Sequence, residues 1–295
     1  MRVLVVGAGA IGGLIAAEFA LAGGHEVSLA VRRPVPGLVL EEAGVERVAP
    51  VTLVQDPALV APADVVVVAT KAYDVDGIGP WLVNALTDST DVVVAQNGIE
   101  HAERMAGHVS ADRVIPAIVK HAVERRAAGH IERTSHGDIK VPDTAGGRRF
   151  AEAGRGTTLG ITVVEDFETA LWIKLAYNLS GNSVSTITDL RVRELGVRAP
   201  LQELIRHLVA ECTEIAAGRG VALPPDLATT IVDEFAAYPD SIHSSMWQDL
   251  RAGRPFEHDA ISGAVVRAAA AQGKQAPFSE MATLLLGAIS PVRHG

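Results

Sequence analysis

The hexapeptide Gly7-Ala8-Gly9-Ala10-Ile11-Gly12 constrains this chain more than any other feature. It follows the β-branched run Val3-Leu4-Val5-Val6 and opens a stretch rich in Ala, Leu and Ile that stops at Gly23-Gly24. A short apolar run closed by glycine reads as a buried strand, and Ile11 to Ala22 reads as a helix with a glycine stop. Between strand and helix the spacing G-x-G-x-x-G has a physical meaning. Gly7 permits a tight turn, Gly9 lets backbone approach a pyrophosphate, and Gly12 lets helix and strand pack closely. Amides at the helix N-terminus then face the anion.

About twenty residues on, at the end of the next strand, a site for unphosphorylated ribose would carry Asp or Glu. This chain has Val31-Arg32-Arg33. A guanidinium there suits a 2′-phosphate and points to NADP, the plain alternative being a pair of solvated loop charges.

His25 to Val31, Val65 to Ala69 and Asp91 to Ala95 also read as strands, the last ending in Gln96-Asn97-Gly98. Strands alternating with helices predict a parallel sheet covered on both faces. The stretch 113–165 is β-rich and turn-rich, a candidate extension of the sheet whose strand order stays open. After Asp166 the pattern turns helical: Phe167 to Leu179, Leu201 to Gly218, Leu227 to Ala237, Asp259 to Gln272 and Ser279 to Gly287, punctuated by prolines. The expected fold class is an α/β N-terminal Rossmann domain with a mostly parallel sheet (1–165), then an all-α C-terminal domain (166–295). With no flexible linker between them, the active site is expected in the interdomain cleft.

Composition excludes other classes. The 295 residues carry a net charge of -9 and only 4% aromatics, which disfavours a nucleic-acid partner. Cys212 is the one cysteine, so neither a disulfide framework nor a multi-cysteine zinc site can form within the chain. Cys212 itself reads as core. Arg2 and the apolar run after it could pass for a secretion signal, but the glycine spacing inside the run favours a strand and loop. No run is long enough to span a bilayer, so we expect a cytoplasmic protein with no membrane partner. His101, His108, His121, His130 and His136 form no metal-ligand pattern and read as surface or loop residues; no metal is expected.

A second constellation lies in the helix from Phe167. Lys174, Asn178 and Asn182 recur four residues apart in an otherwise apolar stretch, which places them on one face. Polar groups on a largely buried helix need solvent or partners. They form either an exposed stripe or the lining of a cleft, where Lys174 would supply positive charge and a proton.

Taken in order along the chain, these motifs resemble the 2-dehydropantoate 2-reductase (ketopantoate reductase) family. The likeness runs through Gly7 to Gly12, Arg32, Thr70-Lys71-Ala72-Tyr73 and Gln96-Asn97-Gly98. It continues through Leu171 to Asn178, Ser244 to Arg251, and Gly253-Arg254-Pro255-Phe256-Glu257. It implies an oxidoreductase of pantothenate biosynthesis that transfers hydride from NADPH to the C2 carbonyl of a small-molecule 2-oxo acid. In that picture Lys174 is the proton donor and Asn97 sits where cofactor and substrate meet. Asn178 and Asn182 hold the substrate, and Ser245 binds its carboxylate. Glu257, near the nicotinamide, is the second catalytic residue, and Lys71 contacts the cofactor together with Gly7, Ala8, Gly9, Ala10, Ile11, Gly12, Arg32, Asn97 and Glu257. Read without the resemblance, Ser244-Ser245 would be a helix N-cap and Glu257 a first-turn acid. Ser241-Ile242-His243 and His258-Asp259-Ala260 depart from the family pattern. They keep open a related reductase of another 2-oxo acid; a non-catalytic NADP-binding sensor is the alternative of another class. A homodimer is left open.

Overall fold

The structure is a computed structural model that describes residues 1–292, so the last three residues of the segment 166–295 lie outside the described residues. The chain divides into two compact units. One comprises Met1–Gln96 and His101–Phe167, the other Asn97–Glu100 and the chain from Glu168 onward.

The first unit contains thirteen strands: β1 (Arg2–Val6), β2 (Glu26–Ala30), β3 (Leu38–Glu42), β4 (Val45–Ala49), β5 (Thr52–Val54), β6 (Val65–Val68), β7 (Asp91–Val94), β8 (Val114–Pro116), β9 (Ile118–Val119), β10 (Ala122–Ala127), β11 (His130–Ser135), β12 (Ile139–Pro142) and β13 (Ile161–Val164). Six of them form a wholly parallel sheet in the order β5-β2-β1-β6-β7-β8. Their near-continuous valine runs follow from burial on both faces. Val3, Val5, Val65, Val67 and Val93 share one core with Leu14, Ile15 and Phe19 of the helix Ala10–Ala22. Leu4, Val6, Val66, Val68, Val92 and Val94 face the other way, onto Val75, Ile78, Trp81, Leu82 and Met105.

Of the stretch 113–165, only β8 extends this sheet. β10 and β11 join β3 and β4 in a four-stranded sheet, β10-β11-β3-β4, and β9, β12 and β13 make a three-stranded one. β3 and β4 form a hairpin turned at Ala43-Gly44, both at positive φ, as a two-residue hairpin turn requires.

A buried ion-pair network ties the four-stranded sheet to the helix Ala10–Ala22. Arg133 Nη2 lies 3.1 Å from Glu18 Oε1, and its Nε 2.9 Å from Glu42 Oε1. Arg47 reaches both acids, and the Thr158 amide donates to Glu18 Oε2 at 2.7 Å. Two of the histidines expected at the surface or in loops are buried instead. His101 bonds the Gln96 carbonyl through Nε2 at 3.0 Å. At His121, Nδ1 accepts from the Gly137 amide and Nε2 therefore donates to the Leu159 carbonyl at 2.8 Å. Burial holds the His121 pKa below the ordinary 6.5.

The second unit is helical. A single run begins with Phe167–Asn178, passes through the π-helical segment Leu179–Ser183 and ends with Val184–Thr188. Val192–Val197, Ala199–Ala217, Leu227–Ala237, Ser245–Arg251, His258–Ala270 and Pro277–Ile289 follow. Trp172, Leu175, Leu179, Ile205, Leu208, Ile231, Phe235, Ile261 and Val265 build its core. Cys212 lies within it, and burial pushes its thiol up to about 12. The helix Ser245–Arg251 is shorter than the sequence pattern can reveal. Among the described residues no helix is long and apolar enough to cross a membrane.

Candidate active site

In the first unit the glycine loop leaves β1 and enters the helix Ala10–Ala22. Gly7 has φ +117°, and a Cβ there would stand 2.6 Å from Ala69 C and Thr70 N, the backbone leaving β6. A Cβ on Gly12 would meet the Gly7 carbonyl oxygen at 1.9 Å. Both positions exclude a side chain because backbone crosses backbone. Gly9 is different. It is the N-cap, extended, with no side-chain capping bond, and a Cβ there would have nothing within 4 Å. Space stands over the helix N-terminus at the position where an anion would approach its amides. Ala8, Ala10 and Ile11 are half-buried beside it. This loop can hold a pyrophosphate.

Arg32 follows β2 and is exposed, with its guanidinium 3.3 Å from Asp74 Oδ2. It shows the solvent access a phosphate partner needs, and one carboxylate steers it. Lys71 caps the short 3-10 turn Ala72–Ile78. Its loop is pinned by Gln96, which the sequence marks only as part of Gln96-Asn97-Gly98, without a role of its own. The Gln96 Nε2 donates to the Thr70 carbonyl at 2.9 Å and lies 3.0 Å from Thr70 Oγ1. Gln96 is buried and ends the strand run before Asn97; its amide next to a strand terminus was the available signal.

In the second unit five candidate residues are hydrogen-bonded in two groups. Asn178 Nδ2 donates to Asn97 Oδ1 at 3.1 Å, and Asn97 Nδ2 donates to Glu257 Oε2 at 3.1 Å. Ser245 Oγ donates to Asn182 Oδ1 at 3.4 Å. Asn178, Asn182 and Glu257 are buried, Asn97 is half-buried and Ser245 is exposed. Lys174 lies one turn before Asn178 and is half-buried. The stripe is therefore not a simple exposed face. Its regular spacing is interrupted between Asn178 and Asn182 by the π-helical turn, whose i→i+5 bonding widens the helix and is frequent at functional sites.

The capping alternatives hold as well. Ser244 is the N-cap of Ser245–Arg251 and accepts from the Trp247 amide at 3.2 Å. Its hydroxyl also lies 2.6 Å from Ser185 Oγ. Glu257 is the N-cap residue of His258–Ala270 without a side-chain capping bond, so its carboxylate serves Asn97 instead. Beside Ser244, the His243 and Trp247 rings stack at 3.7 Å. Among the described residues one group could offer three metal-ligand atoms: Glu41, Glu46 and His130, on the four-stranded sheet of the first unit.

Such a chain can bind a dinucleotide on one unit and present amides, a carboxylate and an ammonium on the other. Known proteins share this arrangement of sequence. The family model "Ketopantoate reductase PanE/ApbA" matches residues 3–146, and "Ketopantoate reductase PanE/ApbA C terminal" matches residues 166–290. A 2-dehydropantoate 2-reductase of Caulobacter vibrioides is 35% identical over 97% of this chain and 98% of its own length. One from Mycobacterium tuberculosis is 32% identical over 98% of this chain and 97% of its own. The crystal structure of a ketopantoate reductase from Ralstonia eutropha superposes with a TM-score of 0.88 at 30% identity, over 98% of each chain. The chain belongs to the ketopantoate reductase family of oxidoreductases.

Proposed function

We propose that this protein reduces 2-dehydropantoate to pantoate with NADPH, and that Lys174 donates the proton. The observation that carries the proposal is the Asn178–Asn97–Glu257 network with Lys174 one turn away on the same helix. The first unit holds the cofactor, with Gly7 to Gly12 at the pyrophosphate, Arg32 at the 2′-phosphate and Lys71 on the loop that Gln96 pins. The second unit holds the substrate. NADPH, when bound, supplies the hydride that adds to C2.

As C2 gains hydride, its oxygen gains negative charge. The Lys174 ammonium stabilises that oxygen more in the transition state than in the ground state, then passes it a proton. Asn178 and Asn182 orient the substrate, and Ser245 donates to its carboxylate. Asn97 fixes the carbonyl end, and Glu257 holds the Asn97 amide by accepting from Nδ2. One hydride and one proton convert the ketone to the alcohol; Lys174 regains its proton from solvent.

A bulkier 2-oxo acid is the second candidate substrate, favoured by the flat His243–Trp247 stack next to Ser244 and Ser245. An NADPH-linked reductase with one buried thiol fits a reducing, cytoplasmic setting. A homodimer fits the exposed Met281, Leu284, Leu285 and Ile289 on the helix Pro277–Ile289; light scattering tests it. The deciding assay is loss of NADPH absorbance with 2-dehydropantoate, beside NADH and a panel of 2-oxo acids. Turnover with NADPH and 2-dehydropantoate is expected. Turnover only with another 2-oxo acid would replace the substrate, and silence across the panel would remove the enzymatic role.

A further inference from the structure

The segment Asn97–Glu100 has no regular secondary structure, yet it carries Asn97. Four residues without ladder or helix bonds cannot hold a side chain in place; something outside must. Besides the bond from Asn178 to Asn97, three contacts hold this segment to the helix His258–Ala270 or the residue just before it. Asn97 bonds Glu257 at the N-cap. Gly98, at φ +104°, passes so close that a Cβ would lie 2.5 Å from the Ala260 carbonyl oxygen. Glu100 receives both arms of the Arg267 guanidinium, Nε to Oε1 at 2.8 Å and Nη2 to Oε2 at 2.7 Å.

The guanidinium is itself held. Arg267 reaches back along its helix to Asp259, with Nη1 2.6 Å from Oδ1 and Nη2 2.7 Å from the carbonyl oxygen. A planar fork bound on two sides transmits geometry in a way a flexible ammonium cannot. Asp259 belongs to the stretch where the sequence departs from the family pattern, and here it has a task.

We propose that the Asp259–Arg267–Glu100 clamp is a positioning device that sets Asn97 for catalysis. This rests on the substrate role given to Asn97 above. Arg267 and Glu100 touch no reacting atom; they act through the four-residue segment.

The experiment is a double-mutant cycle on the full chain, with Arg267→Lys and Glu100→Gln, each alone and with Asn97→Ala. Selective ¹⁵N-asparagine labelling follows the Asn97 side-chain amide, identified by its loss in Asn97→Ala. Each clamp variant is expected to lower kcat/KM for 2-dehydropantoate by about tenfold, as lost charge-assisted bonds do, without changing KM for NADPH. The loss should vanish in the Asn97→Ala background. The Asn97 amide protons should exchange faster in both clamp variants. Additive losses, or an unmoved Asn97 amide, would overturn the proposal. If Asn97→Ala alone leaves kcat/KM intact, the substrate role of Asn97 falls, and the amide exchange decides the clamp by itself.

Discussion

Asn97 donates a 3.1 Å hydrogen bond to Glu257, a residue 160 positions later in the chain. The same amide accepts from Asn178 through its oxygen, so a donor and an acceptor are both committed and the side chain has one allowed orientation. That orientation makes the three side chains one hydrogen-bonded unit.

Lys174→Ala should reduce kcat by about 10²–10⁴, the range for a lost general acid, while fluorescence titration shows NADPH affinity nearly unchanged. Undiminished turnover would remove Lys174 as the proton donor.

Arg32→Glu should weaken NADPH binding by at least about tenfold, since a charge-assisted phosphate contact is replaced by repulsion. NADH binding should change little. Equal effects on the two cofactors would return Arg32 to the status of a loop charge paired with Asp74.

Arg133→Met should lower the free energy of unfolding by about 3 kcal/mol, because Glu18 is left charged and buried. Adding Glu18→Gln should recover much of it. Urea denaturation reads both values, and a negligible loss in the single variant would show that Arg47 and the Thr158 amide suffice for Glu18.

Acid should destabilise the fold through His121. Its folded pKa is lowered by burial, so below about 6.5 the unfolded chain takes up a proton that the folded chain refuses. Stability is complete above that pH and falls as pH drops toward the folded pKa. His25 and His258 act in the same direction. The melting temperature of His121→Gln should depend less steeply on pH between about 7 and 5 than that of the parent. Parallel slopes would exclude His121 as a contributor.

Some of this was legible from the chain alone. Val3 to Gly12 announces strand, turn and helix because the signals are adjacent and the geometry local. The valine runs at 65–68 and 92–94 read as buried strands because both faces are covered. The stretch 113–165 was not legible. β11 pairs with β3, some 90 residues earlier, and nothing local selects that partner over β8. The burial of His121 likewise depends on the Leu159 carbonyl, 38 residues later. In the candidate site, residue types could be picked out, but the Asn97–Glu257 bond, the Gln96 anchor and the Arg267 clamp are long-range and invisible to spacing.

The π-helical turn at Leu179–Ser183 behaves as one surplus residue in an otherwise regular helix. Residues before and after it are out of phase, and each residue of an α-helix accounts for about 100° of rotation. Deleting Gly181 would restore the regular winding and swing Asn182 around the axis relative to Asn178, away from Ser245. Composition would barely change. The Ser245–Asn182 bond would be lost to the change of phase alone, which makes this short buried segment intolerant of length change.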